Sequence, residues 1–331
     1  MSAVPCARRE QVLRLDQCAR RTPLIRVDHP GIDLRLKAEY LNLFGSSKDR
    51  SALWILRSAL ARGEVDERTA VVESSSGNFA IAMASLCRIA GIRFIPVIDP
   101  NCNTSTATYL SLACDLVERV QYPHAEDGYL GARLRRVQEV LAAAAPAFWP
   151  NQYSNADAVE AHYRMTGSEL VEDAPDLDYV FVGAGTGGTI AGVSQRVKEH
   201  SPRTKVVAVD VVGSVIFGGR PGPRFIPGLG SSRRGALFDE AVIDDIVMVS
   251  ELETVRACRK LLRLYGVHAG GSTGSVFAAI EQYFTTASLR RPKVAFISAD
   301  RGTAYSSTVF NPDWVARTLG HLEPMTHDVA A

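Results

Sequence analysis

The sequence lacks the cysteine and histidine patterns of metal sites and disulfide frameworks. None of its six cysteines belongs to a Cys-x-x-Cys pair, and none of its seven histidines has another histidine three or four positions away. A zinc site or a disulfide scaffold would require such spacings. We therefore expect reduced thiols, as in a cytoplasmic protein, and no bound metal.

Long apolar runs and an excess of one charge are missing too. No run approaches the roughly 18 residues of a membrane-spanning helix, and the N-terminal residues lack the apolar core of a signal peptide. The 37 Lys and Arg residues almost balance the 36 Asp and Glu residues. This balance argues against nucleic acid or an anionic membrane as a partner, so a small molecule is the expected ligand.

What is present is an alternation of strand and helix patterns in a chain of 331 residues, long enough for two lobes. The alternation predicts a mainly parallel sheet with helices on both faces. The predicted strands are 34–37, 70–73, 94–98, 116–120, 179–182, 206–210 and 293–297. The predicted helices are 49–62, 78–90, 105–113, 128–145, 157–172, a run ending at 200, 251–265 and 275–284.

Two segments depart from this regular pattern. Pro96 interrupts the third predicted strand, which indicates an irregularity or an edge position. Residues 213–235 are rich in glycine, proline and arginine and show no periodicity. A structureless stretch of that length predicts a functional or mobile loop.

A turn of small residues precedes one lysine at the start of a helical pattern. Gly45 allows a tight turn, and the two serines that follow it can cap the next helix. Because the positive end of a helix disfavours an ammonium group, this position would lower the pKa of Lys48 and favour a Schiff-base nucleophile. The alternative is an exposed lysine beside a solvated Asp49–Arg50 pair.

A glycine-rich turn, Gly183-Ala-Gly-Thr-Gly-Gly-Thr189, follows a predicted strand and opens a helix. Its backbone N–H groups and the helix dipole predict a phosphate site. The same turn matches the Gly-x-Gly-x-x-Gly pattern of dehydrogenases, and Asp210 ends the next strand, where a ribose-binding acid belongs. A nicotinamide-dependent dehydrogenase is therefore one alternative.

Two more turns of this kind stand before helices, Ser74-Ser-Ser-Gly-Asn78 and Gly270-Gly-Ser-Thr-Gly-Ser275. The first suits a substrate carboxylate held by backbone N–H groups. Each has an ordinary helix cap as its alternative. A dehydrogenase needs neither turn, whereas a phosphorylated aromatic cofactor bound through a lysine uses both.

With these motifs in this order, the chain resembles the fold-type II pyridoxal-phosphate enzymes, the family of cysteine synthase and cystathionine β-synthase, from Thr22 to Phe310. The resemblance implies an α/β fold of two lobes with mainly parallel sheets, like that of the tryptophan synthase β chain. It places a smaller, mobile lobe at 41–148 and a larger cofactor-binding lobe at 1–40 plus 149–331. It also implies a homodimer that binds pyridoxal 5′-phosphate.

The resemblance assigns roles to individual residues. Lys48 is implied to form the Schiff base and act as general base, Asn78 to bind the ring 3′-oxygen, and Ser272 to face the pyridine nitrogen. The implied phosphate cradle is Gly185, Thr186, Gly187, Gly188 and Thr189. The implied binders of the substrate carboxylate are Ser75, Ser76, Gly77 and Gln152. A hydroxyl opposite the pyridine nitrogen makes the ring a weaker electron sink, which favours β-elimination over transamination.

The second substrate is predicted from departures within the family. Cysteine synthases usually have Thr after the cofactor-binding Asn, but this chain has Phe79. The loop 213–232 is similar instead to the branch that makes 2,3-diaminopropionate precursors for siderophores such as staphyloferrin B. That branch joins O-phospho-L-serine to L-glutamate, with the glutamate amine as nucleophile and phosphate as leaving group.

Charge supports that prediction, because a phosphate and a dicarboxylate both call for guanidinium groups. The loop contains Arg220, Arg224, Arg233 and Arg234. We take Arg220 and Arg224, together with Arg133 and Tyr153, as candidates for binding substrate. The remaining alternatives are a cysteine synthase, the dehydrogenase, and an inactive protein that keeps the cofactor pocket.

Overall fold

The structure is a computed structural model that describes residues 6–125, 128–285 and 291–320. The strands are β1 (Leu24–Val27), β2 (Asp33–Ala38), β3 (Ala70–Ser74), β4 (Arg93–Ile98), β5 (Glu118–Arg119), β6 (Ala147–Phe148), β7 (Tyr179–Gly183), β8 (Lys205–Val211), β9 (Asp245–Val249) and β10 (Lys293–Ser298). The helices are α1 (Cys6–Asp16), α2 (Lys48–Arg62), α3 (Asn78–Ala90), α4 (Thr104–Ala113), α5 (Gly128–Ala143), α6 (Asp157–Ala161), α7 (Ser168–Asp173), α8 (Gly188–His200), α9 (Glu251–Tyr265), α10 (Gly271–Tyr283) and α11 (Pro312–Leu319).

The larger sheet has the strand order β1-β2-β10-β7-β8-β9. All of its neighbours run parallel except β1, which is antiparallel to β2. The central strands are buried along nearly their whole length. Strands covered on both faces need apolar residues at almost every position, which explains their Val-rich sequences.

The smaller sheet has the order β5-β4-β3-β6 and is parallel throughout. Strand β4 lies between β5 and β3, so the expectation that Pro96 marks an edge strand is wrong. The partner β5 pairs only with Val97 and Ile98. The Ile98 carbonyl accepts from Val120 N–H and so points towards β5. The nitrogen of Pro96, two residues earlier, points to the same side, but β5 does not extend that far. The missing N–H therefore breaks no ladder bond.

The predicted α/β class with mainly parallel sheets is confirmed. The smaller sheet draws its strands from residues 70–148, and the larger sheet from 24–38 and 179–298. This partition supports the proposal of a smaller lobe at 41–148 and a larger one made of 1–40 and 149–331. Among the described residues, no helix is long and apolar enough to cross a membrane.

Candidate active site

Two adjoining cavities lie where strands of both sheets end. The outer cavity has a volume of about 460 Å³ and is lined by residues that follow the carboxyl ends of β3, β4 and β7. The inner cavity shares part of its wall with the outer one. Ligands of open α/β sheets bind at this end of the strands.

The two cavities separate the predicted cofactor residues from the predicted substrate residues. The inner cavity is lined by Lys48, Asn78, Gly185, Thr186, Gly187, Thr189 and Ser272. The outer cavity is lined by Ser75, Ser76, Gly77, Gln152, Arg133 and Tyr153. Four of the predicted cofactor residues border both cavities: Lys48, Asn78, Gly185 and Thr186. Gly188 is not in either wall, but it is the first residue of α8 directly behind the glycine turn.

Lys48 is the first residue of α2, so the helix begins earlier than the sequence indicated. Ser46 makes the hydroxyl contacts, because its Oγ accepts from the Lys48 backbone N–H (3.2 Å) and donates to Asp49 Oδ1 (3.0 Å). Burial lowers the pKa of the Lys48 amine, and the charge of Asp300 partly opposes this. The expected shift towards a neutral amine therefore has burial as its main cause.

The glycine turn forms a cradle that excludes side chains. Gly187 has a φ of 101° and caps α8, and a Cβ at this position would lie 3.0 Å from Leu237 Cβ. A Cβ on Gly185 would lie 3.2 Å from the carbonyl oxygen of Gly228. The first N–H groups of α8 have no partner within the helix and carry its positive dipole end. A phosphate group fits this donor set.

His162 contacts the glycine turn through Thr189, and the sequence analysis did not identify it. Its Nε2 lies 3.1 Å from Thr189 Oγ1 and 3.0 Å from Ser51 Oγ, and its Nδ1 lies 2.9 Å from Thr166 Oγ1. Burial, followed by the charges of Lys48 and Arg50, holds the pKa of this imidazole well below its usual value. A neutral His162 thus links the cradle to the helix that carries Lys48.

The outer cavity presents donors suited to carboxylates. Ser75, Ser76 and Gly77 form the turn between β3 and α3, whose N-terminal N–H groups can bind an anion. Arg133 Nη1 donates to Ser76 Oγ (2.8 Å), and its Nε lies 3.1 Å from Asp99 Oδ2. Arg133 therefore holds a fixed position beside the Ser75–Gly77 turn.

Arg220 and Arg224, the two loop arginines predicted to bind substrate, lie outside both cavities. Arg220 is exposed. Arg224 Nη1 donates to the carbonyl oxygens of Gly213 (2.7 Å) and Ser231 (3.1 Å), so it fastens the loop to itself. Their contact with substrate stays a prediction.

Asp210 does not meet the requirement of the dehydrogenase alternative. Its carboxylate is fully buried, and Oδ1 accepts from Val211 N–H (2.8 Å). It borders neither cavity. A ribose-binding acid must face its ligand, so this arrangement does not suit a dinucleotide.

Glu73 is a buried carboxyl group on β3, next to the Ser75–Gly77 turn, and the sequence analysis did not identify it. Oε1 accepts from Ser74 N–H (2.7 Å) and Trp149 Nε1–H (3.3 Å), while Oε2 accepts from Gln152 N–H (3.3 Å). Burial raises its pKa to about 7, and these hydrogen bonds only partly oppose the shift. Glu73 thus ties the end of β3 to the segment that carries Gln152.

Stability is expected to fall as the pH rises through the pKa of Glu73. That pKa, about 7, lies above the ordinary value of 4.5, so stabilisation that is complete below 4.5 is lost as the pH passes 7. Between about pH 5 and about pH 8, the free energy of unfolding of the wild-type protein should fall by about 2 kcal/mol more than that of Glu73→Gln, which has no titrating group at this position. Urea titrations at both pH values measure this, and equal pH dependence in both proteins would contradict it.

Comparisons with known proteins agree with this geometry. The profile of the family described as "Pyridoxal-phosphate dependent enzyme" matches residues 15–300. N-(2-amino-2-carboxyethyl)-L-glutamate synthase from Ralstonia nicotianae is 39% identical over 306 residues, which cover 91% of this chain and 90% of that relative.

Solved structures with the same fold point to the same family. One is an O-acetylserine dependent cystathionine β-synthase from Helicobacter pylori, with a TM-score of 0.80 and 25% identity, covering 93% of this chain and 99% of that one. Another is a hydrogen sulfide-producing enzyme from Fusobacterium nucleatum, with a TM-score of 0.80 and 28% identity, covering 88% and 98%. The chain therefore belongs to the pyridoxal-phosphate dependent enzymes, as a β-replacement enzyme of the cysteine synthase family whose cofactor is pyridoxal 5′-phosphate.

Proposed function

We propose that this enzyme joins O-phospho-L-serine and L-glutamate to give N-(2-amino-2-carboxyethyl)-L-glutamate and phosphate. The relative from Ralstonia nicotianae carries the name of that synthase. The observation that carries the proposal is Arg133, a fixed guanidinium group beside Ser76 in a cavity of about 460 Å³. A dicarboxylate nucleophile needs such a cation, whereas sulfide does not.

The residues of the chain divide the work between the two cavities. Bound pyridoxal phosphate supplies the electron sink that labilises the α-proton and the β-substituent of an amino acid. We assign its phosphate to the cradle from Gly185 to Thr189, its ring oxygen to Asn78 and its pyridine nitrogen to Ser272. The turn Ser75–Gly77 would bind the substrate carboxylate at the N terminus of α3.

Lys48 would move the proton of the reaction. Because burial disfavours the ammonium form, Lys48 Nζ is suited to accept the α-proton of phosphoserine and later return it to the same carbon. The Cβ–O bond of phosphoserine breaks and phosphate leaves. A bond then forms between that Cβ and the glutamate nitrogen, which gives up a proton.

The assay that tests this proposal combines the purified holoenzyme with phosphoserine and glutamate. We expect release of phosphate and a product with the mass of the coupled amino acid. Turnover only with sulfide would overturn the proposal and establish a cysteine synthase, the alternative that the sequence left open. Absence of turnover with phosphoserine and with O-acetylserine would indicate an inactive cofactor-binding protein.

Arg133→Gln is expected to raise the KM for glutamate about 10-fold or more, the effect of one lost charge-assisted hydrogen bond. Steady-state kinetics with varied glutamate measure this change. Arg136→Gln is the matched control, because Arg136 lies on the same helix and pairs with Glu118 and Glu139 away from the cavity. An unchanged KM for glutamate in Arg133→Gln would contradict the assignment.

We further propose that the enzyme is a cytoplasmic homodimer whose product is a precursor of 2,3-diaminopropionate for a siderophore of the staphyloferrin B type. The resemblance to the family supports the dimer, and the name of the curated relative supports the product. Light scattering of the purified protein tests the dimer. A monomer at working concentrations would contradict that part of the proposal.

A further inference from the structure

Asp300 is a buried carboxylate at the junction of the two cavities. It follows β10, is 5% exposed and borders both the inner and the outer cavity. The backbone at this point is tied to the turn before α2, because Ser47 N–H donates to the Ala299 carbonyl (2.8 Å) and Ser46 pairs with Asp300 in an isolated antiparallel β-bridge. The carboxylate thus lies beside Lys48 and Asn78.

One oxygen of this carboxylate accepts two hydrogen bonds, and the other accepts none from the described residues. Oδ2 accepts from Asn78 Nδ2 (2.8 Å) and from the Tyr305 hydroxyl (2.8 Å). Oδ1 is buried and has no hydrogen-bond partner among the described residues. A Cβ on Gly270 would lie only 1.9 Å from Oδ1, so a glycine is required there to admit the carboxylate.

A purely structural role explains this arrangement poorly. An unpaired buried carboxylate oxygen costs folding free energy, and an apolar side chain would avoid that cost. Burial raises the pKa of Asp300, while the hydrogen bonds from Asn78 and Tyr305 and the charge of Lys48 act in the opposite direction. Asn78 and Lys48, two of the residues assigned to the cofactor, thus offset part of the cost of burying this carboxylate, and Tyr305 offsets a further part.

We propose that Asp300 is a positioning residue for the cofactor, holding the Asn78 amide in place and placing a negative charge beside Lys48 Nζ. An amide has two N–H groups. Because one of them is bound to Asp300, the plane of the Asn78 side chain is fixed and the other is free to serve the ring oxygen. A neighbouring carboxylate also favours the protonated form of a nitrogen.

The inference rests on the placement of the cofactor proposed above, so its test uses the absorption spectrum of the holoenzyme without any substrate. We would compare Asp300→Asn and Asp300→Ala with Tyr305→Phe. The alanine variant should bind pyridoxal phosphate about 10-fold more weakly, the loss of a charged hydrogen-bond partner. Its visible absorption band should decline in favour of the near-ultraviolet band.

Asp300→Asn separates orientation from charge. The variant keeps an acceptor oxygen for Asn78, so its cofactor affinity should fall less than that of the alanine variant. Its band ratio, the visible absorption divided by the near-ultraviolet absorption, should still decrease because the charge is gone. Tyr305→Phe leaves the Asn78–Asp300 bond intact and should keep the wild-type band ratio. Circular dichroism of the apoproteins checks that each variant is folded.

Two results would overturn the inference. One is a wild-type band ratio and cofactor affinity in Asp300→Asn and in every folded Asp300 variant. The other is a shift in Tyr305→Phe as large as that in Asp300→Asn, since the tyrosine bond would then explain the effect. A wild-type protein without a visible band would instead contradict the placement of the cofactor on Lys48, so the two failures are distinguishable.

Discussion

Lys48→Ala is expected to lose at least about 10⁴-fold in turnover, because general base catalysis alone contributes about 10²- to 10⁴-fold and the cofactor anchor is lost with it. The fold should survive the change. Among the residues that the structure describes, none forms a hydrogen bond or ion pair with Lys48 Nζ. The side chain faces the two cavities, so its removal leaves no buried partner unsatisfied.

Borohydride reduction of the yellow holoenzyme gives the most direct measurement of this role. The reduced cofactor should remain attached to the peptide that contains Lys48, and Lys48→Ala should not be labelled. Lys198→Ala is a suitable control, because Lys198 lies on α8 and pairs with Asp244 away from the cavities. A label on another lysine, or full activity in Lys48→Ala, would contradict the assignment.

Added primary amines can separate the two functions of Lys48. A small amine that diffuses into the outer cavity can replace the general base but not the covalent anchor. We therefore expect partial recovery of phosphate release from phosphoserine in Lys48→Ala when methylamine is present. Recovery should increase with the concentration of the neutral amine, and its absence would indicate that the anchor matters more than the base.

The residues assigned to the cofactor could be picked out in the sequence because their signals are local, and the structure brings most of them to one cavity. The turn between β7 and α8 shows strand residues, glycines and a helix start in one short stretch of sequence, and each has a direct physical meaning. Gly187 needs a positive φ, and Lys48 stands at the first position of a helix. Such features are visible without knowledge of the tertiary fold.

The same local method misplaced the start of α10. The glycines of 270–275 indicated a turn before a helix at Ser275, but the helix begins at Gly271. Its glycines serve close packing, since a Cβ on Gly271 would lie 2.3 Å from Ile226 Cγ2 and one on Gly274 would lie 2.2 Å from Cys258 Sγ. Sequence alone does not distinguish a glycine needed for a turn from one needed for contact.

Other residues were missed because their partners are distant in sequence. Asn78 meets Asp300 across 222 positions, and Ser51 meets His162 across 111. The strands β1 and β9 lie at the edges of the larger sheet and are half exposed, so they show no clear periodicity. Only the tertiary fold reveals these elements and contacts.

The alternative of a solvated Asp49–Arg50 pair is wrong, because both residues are buried. Arg50 is 1% exposed. Nε donates to Glu39 Oε2 (2.6 Å), Nη1 and Nη2 each donate to Glu169 (2.7 Å), and Nη2 also donates to Thr22 Oγ1 (2.9 Å). These bonds join the helix that begins at Lys48 to Thr22 before β1, Glu39 after β2 and Glu169 on α7.

Arg50→Met is expected to lower the free energy of unfolding of the apoprotein by about 3–5 kcal/mol, because it leaves the buried carboxylates of Glu39 and Glu169 without their main cation. Arg62→Met, on the same helix, removes ion pairs of a side chain that is 45% exposed and should cost under about 1 kcal/mol. Urea unfolding of both variants measures the difference. Glu169→Gln combined with Arg50→Met should cost less than the sum of the single changes, since the two groups are in contact. Additive costs, or an Arg50→Met variant as stable as Arg62→Met, would contradict the view that this buried ion-pair network holds the Lys48 helix in place.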